Sequence, residues 1–266
     1  MRITCCGAQI HSVWDNPAAT LEKAGRCIAE AAAAGASLVA FPEQFATGWD
    51  PRSASTLEEI PGSIVTTLRE YAAAREIAVL GTFRERHPPL PRNTAIAIAP
   101  DGKILATYSK CHLFSPAGED GCFSPGESLG IFEISGMRFG IAICYDLRFP
   151  SLFEAYADAG VDAVIVPAAW PKRRARHWEL FLQARAVENQ IYMIGVNTTG
   201  STPVDKYSGR SMIVDPEGTV VHQIEDEEGL LCGVLDSDKV NLVRETMPFR
   251  KDRRPALYRS LCENGK

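Results

Sequence analysis

Three residues that could do chemistry together stand where apolar runs of this 266-residue chain stop. Gly140-Ile141-Ala142-Ile143 leads into Cys144, Phe41-Pro42 halts an apolar run at Glu43, and Tyr108-Ser109 leads into Lys110. In open α/β sheets, functional groups gather at the carboxyl ends of strands. A thiol, a carboxylate and an amine in such places are the parts of a nucleophile, a general base and a fixed positive charge. A free thiol with a pKa near 8.5 is only a few per cent ionised at neutral pH, so a neighbouring base is useful. Each residue also has a plain structural role. A cysteine closing a buried strand is a small hydrophobe, and a lone Glu or Lys at a strand end is commonly solvated. Position alone leaves both readings open.

The elements that must hold these residues alternate between helical and strand-like periods. Residues 17–35 carry apolar positions at helical spacing and stop at Gly35, and 36–41 read as a buried strand. A helix over 63–75 precedes a strand over 77–83. Asp101-Gly102 between 94–99 and 104–108, and Ser135-Gly136 between 130–134 and 138–144, are hairpin signals. Helices over 151–159 and 174–190 alternate with strands over 162–166 and 191–197, and further strands follow over 208–214, 219–223 and 230–236. Mixed βα units and hairpins predict an α/β layered fold with partly antiparallel sheets. No linker or repeat divides the chain, so residues 1–266 are expected to form one domain.

Composition narrows the classes. With 28 Lys+Arg against 33 Asp+Glu the net charge is −5, which argues against a nucleic-acid partner. The longest uncharged stretch near the start, 31–42, is too short for a membrane span, and no secretory segment is evident. Eight cysteines form no Cys-x-x-Cys pair, so a zinc ribbon is not expected, and we read a reduced, cytoplasmic protein without disulfides. No Gly-x-Gly-x-x-Gly or P-loop word occurs. Neither metal nor cofactor is expected.

The local words go further. Phe41-Pro42-Glu43, Lys110-Cys111-His112-Leu113-Phe114 and Cys144-Tyr145-Asp146-Leu147-Arg148-Phe149-Pro150 resemble the signature segments of the carbon–nitrogen hydrolase (nitrilase) superfamily. Pro167-Ala168-Ala169-Trp170-Pro171, 184–190 and 207–216 extend the resemblance over nearly the whole chain. It implies a four-layer α-β-β-α sandwich, single domain, and a cofactor-free amidase acting on non-peptide C–N bonds. Carried over residue by residue, it implies Cys144 as nucleophile, Glu43 as general base and Lys110 as electrostatic partner. The Tyr145 backbone N–H would be a second oxyanion donor. Glu119 matches a second glutamate of the family, with Glu127 as the alternative in a similar Pro-Gly-Glu context; Asp120 reads as an ordinary loop carboxylate. His112 reads as a packing or hydrogen-bonding histidine.

Tyr145-Asp146 after the cysteine departs from the Trp-Glu of true nitrilases, and Leu147-Arg148-Phe149-Pro150 is more similar to the omega-amidase group. That group hydrolyses dicarboxylic acid monoamides such as 2-oxoglutaramate, so a cation must hold a remote carboxylate. Arg148 and the run Lys172 to Arg176 offer candidates, although Arg148 has a structural alternative, held by Asp146 or Glu154. Trp170 and Phe45 are candidate pocket walls. The alternatives are a deaminated-glutathione amidase, an N-carbamoyl hydrolase, or a non-catalytic binding protein on the same fold. The resemblance also implies a homodimer.

Overall fold

Alternate residues along each strand face opposite layers, and that alternation builds the molecule. The computed structural model describes residues 1–53 and 55–264. Its first half runs β1 (Arg2–Gln9), α1 (Pro17–Ala33), β2 (Leu38–Ala40), α2 (Ser63–Arg75), β3 (Ala78–Glu85), β4 (Arg92–Ile98) and β5 (Ile104–Ser109). The second half begins with β6 (Gly130–Ile134), β7 (Met137–Ile141), α3 (Pro150–Asp158), β8 (Ala163–Ala168), α4 (Ala175–Asn189) and β9 (Tyr192–Asn197). Short strands β10 (Thr199–Ser201), β11 (Lys206–Ser208), β12 (Met212–Val214) and β13 (Val220–Gln223) follow. The long β14 (Gly229–Asp236), α5 (Ser237–Thr246) and α6 (Pro255–Asn264) close the chain.

Among the described residues the strands form two six-stranded sheets, β14-β1-β2-β3-β4-β5 and β13-β12-β9-β8-β7-β6, beside the β10–β11 pair. In each sheet the central pairs are parallel, β1–β2–β3 and β7–β8–β9, and the flanking pairs antiparallel. Leu38, Ala40, Ala78 and Leu80 of the first sheet meet Phe139, Ile141, Ile165 and Ile194 of the second in a central apolar layer. Their neighbours Val39 and Val79 turn outward onto Leu21, Ile28, Ile64 and Leu68 of α1 and α2. Val164, Val166 and Met193 turn outward onto Phe153, Trp178 and Leu182 of α3 and α4. The result is the expected α-β-β-α sandwich. Gly195 lets α4 sit close, since a Cβ there would lie 2.5 Å from Leu182 and 2.6 Å from Trp178. Among the described residues no helix is long and apolar enough to cross a membrane.

Local chemistry explains the ends of several elements. Asn16 Oδ1 accepts from Ala19 N at 3.1 Å and Pro17 occupies the first turn of α1. Ser135 and Gly136 both have positive φ, 50° and 75°, as a two-residue hairpin turn demands. The expected strand over 208–214 is instead broken. Gly209 and Arg210 take φ of 59° and 57°, and this left-handed pair separates β11 from β12. Helices α5 and α6 escaped the sequence reading; α5 buries only Val240, so its apolar period is faint.

The expectation of free thiols throughout is corrected. Cys6 and Cys232 are directly opposite in the β1–β14 ladder and form a disulfide, with Cα atoms 4.2 Å apart. The two lie 226 residues apart, and only the register of the first and last sheet strands brings them together. Cys5, Cys27, Cys111, Cys122, Cys144 and Cys262 are free.

Candidate active site

Four chain segments leave their strands at one end of the sandwich and converge. After β2 the chain passes Pro42, whose carbonyl accepts from Thr82 Oγ1 at 2.9 Å, and delivers Glu43. The loop beyond is tied by the buried Arg84, whose Nε donates to Gln44 Oε1 at 2.9 Å and whose Nη2 donates to Gly48 O at 2.8 Å. Lys110 follows β5, with its N–H donating to Asn93 O at 2.9 Å. Glu119 opens the second of two single 3-10 turns, Ser115–Ala117 and Glu119–Gly121, joined by Gly118 at φ 78°.

Cys144 opens a 3-10 turn, Cys144–Arg148, three residues beyond the end of β7, and takes φ 45°. A left-handed conformation at a residue with a side chain is strained by roughly 1–2 kcal/mol. Asp146 holds the turn. Its Oδ2 accepts from Ile143 N at 2.9 Å and Tyr108 Oη at 2.8 Å, and its Oδ1 accepts from His112 N at 2.9 Å. His112 Nδ1 is 2.8 Å from the same Oδ1, and its ring stacks on Phe149 at 3.7 Å. Asp146 is therefore occupied and does not hold Arg148.

At the centre is the Lys110 ammonium, 2.8 Å from Glu43 Oε1 and 2.9 Å from Glu119 Oε2. Asn93 Nδ2 donates to both carboxylates, at 2.8 Å to Glu43 and 3.2 Å to Glu119. The second Glu43 oxygen accepts the Ala169 N–H at 3.0 Å, and Glu119 Oε2 accepts the Phe114 N–H at 2.6 Å. Glu43, Lys110, Glu119 and Asn93 are all buried. Glu127 and Asp120, by contrast, are exposed.

The charges explain the titration directions. Burial opposes the Lys110 charge, but Glu119 and Glu43 outweigh it and hold the ammonium above the usual lysine range. Burial also opposes ionisation of Glu119, yet Lys110 and the hydrogen bonds to its oxygens keep its carboxyl below the usual range. Burial, and next the Glu43 carboxylate, push the Cys144 thiol well up, while Lys110 pulls it down. The arrangement favours a neutral Cys144 thiol beside a carboxylate, one suited to proton transfer.

Cys144 faces a narrow pocket with a free volume of about 30 Å³, bounded by Trp49, Phe114, Tyr145, Arg148, Trp170 and Arg174 among others. Trp170 lines this pocket. Phe45 does not: it stacks on Phe41 at 4.8 Å in the core between the first sheet and α2, one turn of chain beyond the end of β2. Arg148 lies over Trp170, its Cζ 4.7 Å from the ring centroid. The sequence reading missed Asn93 and Ala169 N–H. The only advance signal for Asn93 was a polar residue opening an apolar strand. Among the described residues no group of three or more His, Cys, Asp or Glu is placed to hold a metal ion.

Comparison with known proteins yields consistent matches. The carbon–nitrogen hydrolase family model matches residues 2–245. A 2-oxoglutaramate amidase of Bacillus subtilis is 32% identical over 260 residues, covering 97% of this chain and 100% of its own. An omega-amidase of Xenopus laevis is 35% identical over 255 residues, covering 90% of each chain. In structure, a superfamily protein of Xanthomonas campestris with an arsenic adduct in its active site superposes with a TM-score of 0.88 at 26% identity. That match covers 96% of this chain and 98% of the other.

Proposed function

The chain belongs to the carbon–nitrogen hydrolase family, and from that premise we propose that it is a cofactor-free thiol amidase of omega-amidase type. It would cleave a dicarboxylic acid monoamide such as 2-oxoglutaramate to the dicarboxylate and ammonia. Its relatives include the amidases of that name described above. The observation that carries the mechanism is the Lys110 ammonium held between Glu43 and Glu119 in a buried site beside the Cys144 thiol.

Cys144 Sγ attacks the amide carbon while Glu43 takes the thiol proton, so no free thiolate accumulates beside a carboxylate. The carbonyl oxygen becomes an oxyanion, stabilised by Lys110 Nζ and the Tyr145 backbone N–H. Glu43 then gives its proton to the amide nitrogen, the C–N bond breaks and ammonia leaves a Cys144 thioester. Water attacks the thioester with Glu43 as base, Glu43 returns that proton to sulfur, and the acid product departs and gives up its own proton to solvent. Glu119 positions Lys110 and shares its charge.

The test is ammonia release from a panel of monoamides, N-carbamoyl compounds and nitriles, together with an intact-mass trap of the acyl adduct. Activity on monoamides and an adduct on Cys144 support the reading. A Cys144→Ala variant that released ammonia at the wild-type rate would sink it. Residues 1–266 are taken as one hydrolase domain acting as a homodimer, without nucleic acid or membrane as partner. Light scattering that returned a monomer at micromolar concentration would overturn the dimer. The Cys6–Cys232 bridge is at odds with the reduced, cytoplasmic compartment expected from the sequence.

A further inference from the structure

The cations near the pocket mouth divide into those with a carboxylate partner and those without. Lys172 Nζ lies 3.1 Å from Asp226, and Arg173 Nη1 reaches both oxygens of Asp205 at 2.8 and 2.6 Å. Arg210 Nη1 lies 2.7 Å from Glu179. Arg148 and Arg174 both line the pocket that holds Cys144, and among the described residues neither has an ion-pair partner.

Both guanidiniums rest on aromatic faces instead. Arg148 Cζ is 4.7 Å from the Trp170 centroid and 5.3 Å from that of Phe181, and Arg174 Cζ is 5.4 Å from that of Phe114. Arg148 Nη2 has one further neighbour, His177 Nδ1 at 3.4 Å. Burial, and after it the charge of Arg174, holds the Arg148 guanidinium below its usual range, so the two like charges feel one another. Two uncompensated cations in one narrow, largely apolar pocket cost stability, and an anion between them removes that cost. Asp205, the carboxylate on the pocket wall, is already neutralised by Arg173. The same wall carries a third feature. Trp49 is 8% exposed, and its indole Nε1 is buried without a hydrogen-bond partner.

We propose that Arg148 and Arg174 form the subsite for the far carboxylate of the substrate, with the Trp49 indole N–H as a neutral donor beside them. This deepens the amidase reading above and rests on it. Arg148 closes the same five-residue turn that Cys144 opens, so the anion is fixed within a short acyl chain of the thiol. Selection is then by charge: a chain of equal length ending in a methyl group leaves both arginines unpaired and the indole unsatisfied.

The experiment uses the purified full chain and compares kcat/KM for glutaramate, an anionic monoamide, with that for pentanamide, its uncharged counterpart. The wild type is expected to favour glutaramate by a hundredfold or more. Arg174→Gln and Arg148→Gln should each cut that ratio at least tenfold, chiefly through KM, and Arg174→Lys should restore part of it. Arg176→Gln, at an exposed position outside the pocket, should keep the wild-type ratio. Glutaramate hydrolysis with an unchanged ratio in Arg174→Gln would overturn the subsite while leaving the amidase standing. Protection of Cys144 from iodoacetamide by glutarate separates the remaining cases. Protection in wild type but not in Arg174→Gln supports the subsite even if no monoamide is hydrolysed, whereas neither protection nor hydrolysis overturns both. Arg174 decides the matter if Arg148→Gln does not fold.

Discussion

Glu43 and Glu119 share two donors: Lys110 Nζ lies 2.8 Å from the first and 2.9 Å from the second, and Asn93 Nδ2 contacts both at 2.8 and 3.2 Å. One cation therefore serves two buried carboxylates, and the cluster carries a net charge of about −1 while Cys144 is a thiol. Burial, and after it the Glu43 carboxylate, push the Cys144 thiol up, which favours its protonated form. The surplus charge makes the cluster unequally sensitive to the loss of each member.

Lys110→Met should be the most damaging single change to stability. It leaves two buried carboxylates with only Asn93 and backbone N–H groups, and removing one partner of a buried pair costs about 3–5 kcal/mol. Adding Glu119→Gln to Lys110→Met should recover at least about 1 kcal/mol, because one of the repelling charges disappears. Urea midpoints of wild type, the two single variants and the double variant measure this coupling. A double variant no more stable than Lys110→Met would show that the unpaired Glu119 carboxylate is not what makes loss of the lysine costly.

Glu43→Gln separates acid–base chemistry from thiol reactivity. Loss of a general base should lower kcat by about 10²- to 10⁴-fold. The same change removes a carboxylate that pushes the Cys144 thiol up, so its pKa falls and alkylation by iodoacetamide at pH 7 should become faster. Amidase activity and alkylation rate are expected to move in opposite directions. Slower alkylation in the variant would contradict the charge balance.

Glu119 also ties stability to acid pH. Its folded-state pKa is depressed, so its stabilisation is fully present above the unfolded value of about 4.3 and is lost as pH falls through the folded value. Glu119→Gln lacks this dependence. The stability gap between wild type and Glu119→Gln should be constant from pH 7 to about pH 5 and shrink below about pH 4. Denaturant midpoints across that range test it, and a gap that widens in acid would be the wrong sign.

The sequence was informative where structure is local. Helices α1 to α4, the Ser135-Gly136 hairpin and the strand ends at Glu43, Lys110 and Cys144 follow from periodicity, turn chemistry and signature words within a few residues of each position. What stayed hidden depends on distant segments meeting. Asn93 acts on Glu43 across 50 residues and Ala169 N–H across 126, and nothing near either residue records its partner. An aromatic near a strand end reads as a pocket wall, whereas stacking on Phe41 turns Phe45 into the core. The break at Gly209-Arg210 lies in the polar Ser208-Gly209-Arg210-Ser211, which the apolar Met212-Ile213-Val214 beyond it masks in a strand reading over 208–214.

The Cys6–Cys232 bridge is the other long-range feature, and its consequence can be counted. It joins β1 to β14, so it restrains nearly the whole unfolded chain, and such a link contributes about 2–4 kcal/mol. Without reductant, denatured protein should take up six alkyl groups by intact mass, on the six free cysteines, and after reduction eight. Reductant, or Cys232→Ser, should lower the melting temperature by several degrees. Neither strand carries a member of the Glu43–Lys110–Cys144 cluster, so kcat at 25 °C should hold while thermal inactivation accelerates. Eight alkyl groups without reductant would mean that the two thiols stay apart. A fall in kcat as steep as the fall in stability would mean that the β1–β14 seam positions the site as well as the fold.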